Sequence, residues 1–303
     1  MTLQAAIDEF LIEQQVRGNS PRTVQGYRQK LKIFTRFTGD VSIEEISLPL
    51  CKRYYIHLTE KGNTSTTTQT YIRALRAFLT WCFNEDYIAE NIPARFRLPK
   101  AQRKTIDVLT DDEVRRLFAC FNVQPLRRRT GARDFAICAL MFDSGLRLNE
   151  VVTLQVGNVH LAEGYCIVDG KGNKQRIVPL GLHSKRALIR YTGRLPVKYL
   201  QGEKTPLFVK DNLTPLPQST VKQLFRKLKV KANIPRLHPH LLRHSFATRY
   251  LENGGDIYSL QQILGHTSLE MVKKYVHLIP SKTVVCFPQF SPLDNLAKTE
   301  RKP

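Results

Sequence analysis

The chain has 303 residues and a formal net charge of +21 at pH 7, from 47 lysines and arginines against 26 aspartates and glutamates. That length is enough for two domains, and 42% hydrophobic residues are enough to form their cores. So large an excess of positive charge indicates a polyanionic partner, most simply nucleic acid, and argues against a protein that is basic only to stay soluble.

Apolar runs and cysteines argue against membrane-spanning and secreted classes. No apolar run approaches the roughly 18 residues of a membrane span, and the N-terminal segment does not read as a signal peptide. The six cysteines form no CxxC pair, so neither a zinc knuckle nor a redox pair is indicated. We therefore expect a soluble, cytoplasmic protein with no membrane contact, no metal and no cofactor.

The first 90 residues predict a four-helix domain without strands. Ser20 is placed to cap the second helix, with Pro21 at its first position, and Gly39 ends that helix. Apolar residues recur at helical spacing in four segments, which are 2–17, 20–39, roughly 49–61 and roughly 65–86. Six side chains in this domain are candidate phosphate contacts, although a solvated surface explains each one singly: Arg22, Arg28, Lys30, Thr66, Thr68 and Arg73.

The composition changes at Asn91. Residues 91–105 hold two prolines, five basic residues and no acid, which predicts an extended basic linker over 91–108. Such a linker could cross a duplex backbone, although a plain spacer is the alternative. Its basic residues are Arg95, Arg97, Lys100, Arg103 and Lys104.

A second domain is predicted over 109–280, mainly helical with a small β-hairpin or sheet. Thr110 and Glu113 form a capping box at its start, and a helix over 131–143 leads to a turn at 144–154. Residues 164–180 change to strand-like spacing around a glycine-rich turn, which predicts a β-hairpin with Lys171 at its tip. Two further helices are predicted, at roughly 182–195 and 218–232.

Three short helices are predicted between His238 and His277. His240 and Arg243 stand three residues apart, so they share one face of the first helix. Two glycines end this helix, and Asp256 can cap the second, which stops at Gly265. Thr267 or Ser268 can cap the third.

These helices can bring His240, Arg243, His266 and Tyr275 toward one point, and that set suits an attack on phosphate. Arginine offers a fork of donors matched to phosphate oxygens. Histidine can donate to a phosphoryl oxygen or move a proton, and tyrosine can be a covalent nucleophile when nearby cations favour its phenolate.

The segments HLLRH and LGHTS, with Tyr275 nine residues after His266, resemble the C-terminal motifs of the tyrosine recombinase (phage integrase) family, of the two-domain Xer-like type. The segment SGLRLNE resembles the first arginine motif of that family, although Ser144 stands where the family often has Thr. The resemblance implies that Arg147 binds the scissile phosphate and that Glu150 braces the local structure. The segment GKGNKQRIVPL resembles the hairpin with the catalytic lysine and points to Lys171; a nucleotide loop is the weaker alternative, because no P-loop motif is present.

The resemblance implies a site-specific DNA recombinase, with a SAM-like core-binding domain before an α+β catalytic domain. Tyr275 would attack a phosphodiester to give a 3′-phosphotyrosine and a free 5′-hydroxyl, without ATP or metal. Arg147 and Arg243 would hold the non-bridging oxygens, with hydrogen bonds from His240 and His266. His240 would also take the tyrosine proton, and Lys171 would protonate the leaving oxygen. The implied partners are double-stranded DNA with paired sites, a homotetramer on that DNA, and accessory directionality or host DNA-bending proteins.

Three alternatives remain at this point. A type IB topoisomerase would use the same chemistry without exchanging partners, and a non-catalytic DNA-binding regulator would leave the six residues without a role. A metalloenzyme using His238, His240, His244 and His266 is disfavoured, because no carboxylate lies at ligand spacing and the arginine would repel a cation. The tail at 281–303 holds an apolar, β-branched run that either folds back on its own domain or docks on a neighbouring protomer.

Overall fold

The chain forms two compact units, Met1–Lys104 and Thr105–Pro303. A computed structural model describes five segments, which are 1–96, 107–121, 126–170, 175–266 and 268–276, apart from the side chains of Lys274 and Val276. No helix within these segments is both long and apolar enough to cross a bilayer.

The first unit consists of helices, as the apolar spacing predicts. Ser20 caps the second helix by accepting a hydrogen bond from the N–H of Thr23 at 3.2 Å, and Pro21 occupies its first position. The helices are α1 (Leu3–Val16), α2 (Pro21–Thr38), α3 (Leu48–Glu60), α4 (Ser65–Asn84) and α5 (Ile92–Arg95), with a 3₁₀ turn at Ile43–Glu45. The four predicted helices are therefore confirmed.

Aromatic side chains from different helices meet in the core of this unit. The ring of Phe10 on α1 lies edge-on to that of Phe78 on α4, with centroids 5.6 Å apart. Phe34 on α2 packs in the same way on Tyr54 of α3, at 4.9 Å. These contacts link α1 to α4 and α2 to α3, and the ring of Phe10 also lies edge-on to that of Tyr27 on α2, with centroids 5.3 Å apart, so aromatic contacts connect all four long helices.

The predicted extended linker was wrong for residues 91–96. Asn91 caps α5 by accepting a hydrogen bond from the N–H of Ala94, and Pro93 lies in the first turn. Ile92 and Phe96, four residues apart, are buried in the core of the first unit at 1% and 4% exposure. Apolar spacing therefore outweighs the basic composition here. The other predicted linker contacts, Arg97, Lys100, Arg103 and Lys104, lie outside the described residues.

The second unit begins with the predicted capping box, in which Thr110 and Glu113 bond each other's backbone N–H groups. Its helices are α6 (Asp111–Ala119), α7 (Arg129–Asp143), α8 (Leu148–Thr153), α9 (Leu182–Thr192), α10 (Val197–Leu200), α11 (Gln218–Lys231), α12 (Pro239–Glu252), α13 (Ile257–Leu264) and α14 (Glu270–Val276). The prediction of a turn over 144–154 missed α8, which forms because Glu150 bonds the N–H of Arg147 at the helix start.

A small antiparallel sheet lies between α8 and α9. Its strands are β1 (Val159–His160), β2 (Tyr165–Asp169) and β3 (Gln175–Pro179), in the order β1-β2-β3. The hairpin of β2 and β3 confirms the prediction, with Cys166 paired to Val178. The two-residue β1 was not predicted, since so short a strand gives no alternation to read. Lys171 lies outside the described residues.

The last three helices, α12 to α14, have the predicted ends with one shift. Asp256 caps α13 by accepting from the N–H groups of Tyr258 and Ser259, and Gly265 ends it in the left-handed region at φ +60°. The third helix, α14, begins at Glu270, later than the predicted cap at Thr267 or Ser268. These turns place His266 directly after one helix and Tyr275 on the next.

Candidate active site

A buried carboxylate, that of Glu150, is the centre of the site. Arg147 donates to it through its backbone N–H and through Nη1, both at 2.7 Å. Arg176 donates through Nη1 and Nη2 to the two carboxylate oxygens, both at 2.9 Å. Nη1 of Arg243 lies 4.0 Å from Oε2 of Glu150. One negative charge therefore gathers three arginines, which supports the prediction that Glu150 braces the local structure.

The arginines keep the Glu150 carboxylate ionised. Burial alone would raise its pKa, but the hydrogen bonds and charge of Arg176, followed by the hydrogen bonds of Arg147, lower the pKa of Glu150 to about 2. The cluster therefore holds a net positive charge at neutral pH, because one carboxylate faces three guanidinium groups. A phosphate group brings the negative charge that such a cluster favours.

Arg243 lies deepest of the predicted phosphate ligands, with 4% of its side chain exposed. Nη1 donates to the carbonyl of Gly145 and Nη2 to that of Leu264, both at 2.6 Å, and Nη2 lies 3.2 Å from Nε2 of His266. Burial, and then the charge of Arg147, lower the pKa of Arg243 to about 9, against the opposing charge of Glu150. The guanidinium remains charged at neutral pH, and it links the backbone at Gly145 to the backbone at Leu264.

Arg176 is a site residue that the sequence analysis missed. Its Nε donates to the carbonyl of Ile263 at 2.7 Å, and a Cβ at Gly265 would lie 3.0 Å from its Cδ. The side chain therefore joins β3, Glu150 and the end of α13. Strand alternation could have found it, because Arg176 lies on the same face of β3 as the buried Val178. An arginine on an inward face needs an acidic partner.

The predicted nucleophile, Tyr275, is buried at 1% exposure. Its hydroxyl lies 2.8 Å from Nδ1 of His244, and the two rings are 5.7 Å apart between centroids. Burial raises the pKa of Tyr275, and the charges of Arg243 and Arg147 oppose that rise. From the sequence, His244 was predicted only as a ligand in the metalloenzyme alternative. Its position four residues after His240, on the same helix face, was the signal for a role in this site.

The structure brings Arg147, Arg243, His266 and Tyr275 together, while His240 is exposed on α12. The ring centroid of His240 lies 6.5 Å from that of His244 and 6.5 Å from that of His238. His238 caps α12, since its Nδ1 accepts a hydrogen bond from the N–H of Leu241. That cap occupies one histidine of the metalloenzyme alternative.

Both units match known sequences. The phage integrase family profile matches residues 107–282, and the profile of the phage integrase SAM-like domain matches residues 2–98. The tyrosine recombinase XerD of Staphylococcus aureus is 32% identical over 296 residues, which cover 96% of this chain and 99% of that protein. The chain belongs to the phage integrase family.

Solved structures of other integrases share the fold of this family member. The Tn1549 transposon integrase in complex with transposon right end DNA has a TM-score of 0.76 at 21% identity, covering 96% of this chain and 99% of that one. The lambda integrase tetramer bound to a Holliday junction has a TM-score of 0.72 at 20% identity, covering 88% and 78%. The predicted fold class is confirmed, and the protein is a tyrosine recombinase, an enzyme of site-specific DNA recombination.

A basic cleft in the SAM-like domain of this integrase gathers three of the predicted DNA contacts. Arg22 and Lys30 on α2 and Arg73 on α4 line a cleft of about 460 Å³, and no carboxylate is among its lining residues. Thr66 is exposed, and Arg28 lies 3.9 Å from Asp8. The cleft is a candidate phosphate-binding surface, because Arg22 and Arg73 are exposed, Lys30 is partly exposed, and none of the three forms an ion pair with another residue that the structure describes.

Two other predicted contacts have different surroundings. Thr68 is 1% exposed within α4, so its hydroxyl cannot reach a phosphate and that prediction was wrong. Helical periodicity explains the burial, because Thr68 lies on the face of α4 that carries Ile72 and Leu75 into the core. Arg95 is exposed and forms an ion pair with Glu90, which offsets its charge.

Proposed function

We propose that this recombinase cuts and rejoins DNA at paired specific sites through a 3′-phosphotyrosine, with Tyr275 as the nucleophile. The observation that supports it is the convergence of Arg147, Arg243 and His266 around Glu150, next to Tyr275. A scissile phosphate at this point would meet guanidinium donors and an imidazole, with the phenol of Tyr275 close by. Such donors can stabilise the charge that develops on the phosphate during the attack.

The two phosphate-binding arginines differ in what holds them. Arg147 is 32% exposed, so its guanidinium is open to an incoming phosphate. Arg243 is fixed by two carbonyls and also contacts His266, which still leaves donors of its guanidinium for a phosphate. Arg147 therefore captures the phosphate, and Arg243 stabilises the charge that develops on the non-bridging oxygens in the transition state.

The bond changes balance without an external energy source. Oη of Tyr275 bonds to phosphorus and loses its proton, and the bond from phosphorus to the 5′-oxygen breaks. The family resemblance assigns Lys171 to donate a proton to that oxygen. A 5′-hydroxyl from a partner strand then reverses the step. The phosphotyrosine retains the energy of the phosphodiester, so neither ATP nor a metal is required.

Strand exchange requires several protomers on paired sites. The lambda integrase relative is a tetramer on a Holliday junction, and we extend that assembly to this chain as part of the proposal. The basic cleft of Arg22, Lys30 and Arg73 would grip the duplex. The tail at 281–303 would dock on a neighbouring protomer, and accessory or DNA-bending proteins would set direction. The proposed substrate is DNA in the nucleoid of a bacterial cell, or the DNA of its mobile elements.

Covalent trapping tests the nucleophile. Binding sites would be selected from a random duplex library, and the best site made into a nicked suicide substrate that prevents religation. The wild-type chain is expected to form a phosphotyrosyl adduct on a denaturing gel. Tyr275→Phe is expected to bind the same duplex without forming an adduct, because only the hydroxyl is lost. Tyr258→Phe, at an exposed tyrosine on α13, is the matched control and should retain the adduct. An adduct in Tyr275→Phe would reject the proposal.

A further inference from the structure

The hydrogen bond between Tyr275 and His244 lies at the atom that must react. Oη of Tyr275 is 2.8 Å from Nδ1 of His244, within the range for direct proton transfer. His244 is on α12 and Tyr275 on α14, and Val272 and Tyr275 bury the second helix in the core of the unit. The pair is therefore set by the packing of two helices and does not depend on a surface contact.

The surroundings of the phenol create a need for a proton acceptor. A free tyrosine ionises near pH 10, so the phenolate is scarce at neutral pH. Tyr275 is also 1% exposed, and burial disfavours the charged phenolate. The positive charges of Arg147 and Arg243 only partly oppose this effect. Attack on phosphorus therefore requires that the proton leaves the hydroxyl as the new bond forms.

His240 and His244 differ in their relation to that proton. His240 was predicted to take it, yet His240 is exposed, and its ring centroid lies 6.5 Å from that of His244. His244 is partly buried and in hydrogen-bond contact with the hydroxyl. Among the described residues, His240 lies near the pair on its own helix, and Arg243 and Arg147 act on the phenol by their charge.

We propose that His244 is a further catalytic residue, which accepts the proton of Tyr275 at Nδ1 while Oη bonds to phosphorus. The neutral imidazole, protonated on Nε2, becomes an imidazolium, and the 5′-oxygen leaves with a proton from the separate donor. On religation the 5′-hydroxyl attacks phosphorus and gives its proton back to that separate donor, Oη leaves the phosphorus, and the imidazolium returns its proton to Oη. The inference rests on the proposed function, because it requires Tyr275 to be the nucleophile.

Single-turnover cleavage of the suicide substrate tests this role, with chemical rescue of His244 variants and of Lys171→Ala compared. His244→Asn keeps an oxygen acceptor near the position of Nδ1 but cannot hold the proton. Its cleavage rate is expected to fall by roughly 10²-fold at neutral pH, the usual size of a lost general base. The deficit should shrink as pH rises, because hydroxide replaces the missing base. Added imidazole should raise the rate of His244→Ala, which leaves a cavity of the same shape.

The leaving-group side supplies the control. A 5′-bridging phosphorothiolate, whose leaving group needs no proton, should rescue Lys171→Ala and leave His244→Asn slow. Imidazole should not rescue Lys171→Ala. Binding affinity and thermal melting of each variant separate folding from chemistry, and imidazole rescue is independent of any modest loss of stability.

Three results would overturn the role of His244: cleavage by His244→Asn at the wild-type rate, rescue of that variant by the phosphorothiolate, or failure of imidazole to restore a folded His244→Ala. Failure of the proposed function would look different, because the adduct would then persist in Tyr275→Phe.

Discussion

The SAM-like domain and the catalytic domain use arginine in opposite ways. In the basic cleft, Arg22 and Arg73 face solvent, and no carboxylate lines the cleft with them. In the catalytic domain, Arg176 and Arg243 are 12% and 4% exposed, and they share the buried Glu150. Exposed cations bind DNA with an affinity that depends on salt, whereas buried and hydrogen-bonded cations are held in a fixed position. On the proposed function, the first domain is therefore expected to capture DNA and the second to align the phosphate.

The largest expected effect comes from Glu150→Gln, which removes the one carboxylate of the arginine cluster. Removing one partner of a buried ion pair costs about 3 to 5 kcal/mol, because the remaining charges are left uncompensated. Chemical denaturation should show the loss in the catalytic domain, and the suicide substrate should show no adduct. Glu90→Gln is the matched control, because Glu90 pairs with Arg95 at the surface and should cost under about 1 kcal/mol.

The same variant has a defined pH dependence. The pKa of Glu150 is lowered to about 2 from an ordinary 4.5. The stabilisation by this carboxylate is therefore complete above pH 4.5 and is lost as pH falls toward 2, by roughly 3 kcal/mol in total. The difference in unfolding free energy between the wild-type chain and Glu150→Gln should shrink over that window. A constant difference from pH 7 to pH 2 would reject the charged role of Glu150.

A double-mutant cycle measures how tightly Arg176 is coupled to Glu150. Arg176→Gln alone should lower the unfolding free energy by about 2 kcal/mol, through loss of charge-assisted hydrogen bonds. The double variant with Glu150→Gln should lose less unfolding free energy than the sum of the two single losses, by at least about 1 kcal/mol, because the residues share one network. The cycle for Arg95 and Glu90 should give a coupling near zero. Equal coupling energies in the two cycles would show that the buried pair and the exposed pair do not differ, and would contradict this prediction.

In the basic cleft, the triple change of Arg22, Lys30 and Arg73 to Ala should weaken DNA binding without changing stability. Each lost phosphate contact should reduce the slope of log affinity against log salt by about 1, so the slope should fall by about 3. Fluorescence anisotropy across a salt series gives this slope. Arg17→Ala is the control, because Arg17 bonds Glu13 at 2.7 Å and lies outside the cleft. An unchanged slope in the triple variant would remove the cleft from the DNA surface.

The smallest effect is expected from two threonines on α4. Thr68→Val should leave DNA affinity unchanged, because the side chain is buried. Thr66→Val should lower affinity a few-fold, the cost of one neutral hydrogen bond, because Thr66 is exposed. Anisotropy at one salt concentration compares the two. A larger loss in Thr68→Val, with normal melting, would mean that the exposed and buried faces of α4 have been assigned the wrong way round.

Local signals predicted most of the fold, and contacts between distant segments account for what was missed. Ser20 and Thr110 cap their helices with partners three residues away, so the sequence alone contains both halves of each contact. Arg176 has its partners at Glu150 and Ile263, 26 and 87 residues away, and no local pattern pairs them. His244 was overlooked for the same reason, since its contact with Tyr275 spans 31 residues.

The resemblance predicted a set of site residues, of which Arg147, Arg243, His266 and Tyr275 lie together in the structure, but it could not rank them by their surroundings. It assigned the tyrosine proton to His240, whereas we propose His244 because of its contact with the hydroxyl of Tyr275. The error at residues 91–96 came from reading prolines and charge as a linker, while Ile92 and Phe96 show the apolar spacing of a packed turn. The contact of His244 with Tyr275 and the burial of Ile92 and Phe96 are both properties of the folded chain, which the sequence does not show directly.

The two carbonyl bonds of Arg243 have a genetic consequence. Because this guanidinium joins the backbone at Gly145 to that at Leu264, an allele that alters residue 243 damages folding and chemistry together. On the proposed function, an allele with Tyr275→Phe is expected to keep the fold and to bind DNA without cleaving it. In the proposed assembly of several protomers, such a product would interfere with a wild-type copy in the same cell, whereas a product that loses its fold through a change at residue 243 would not.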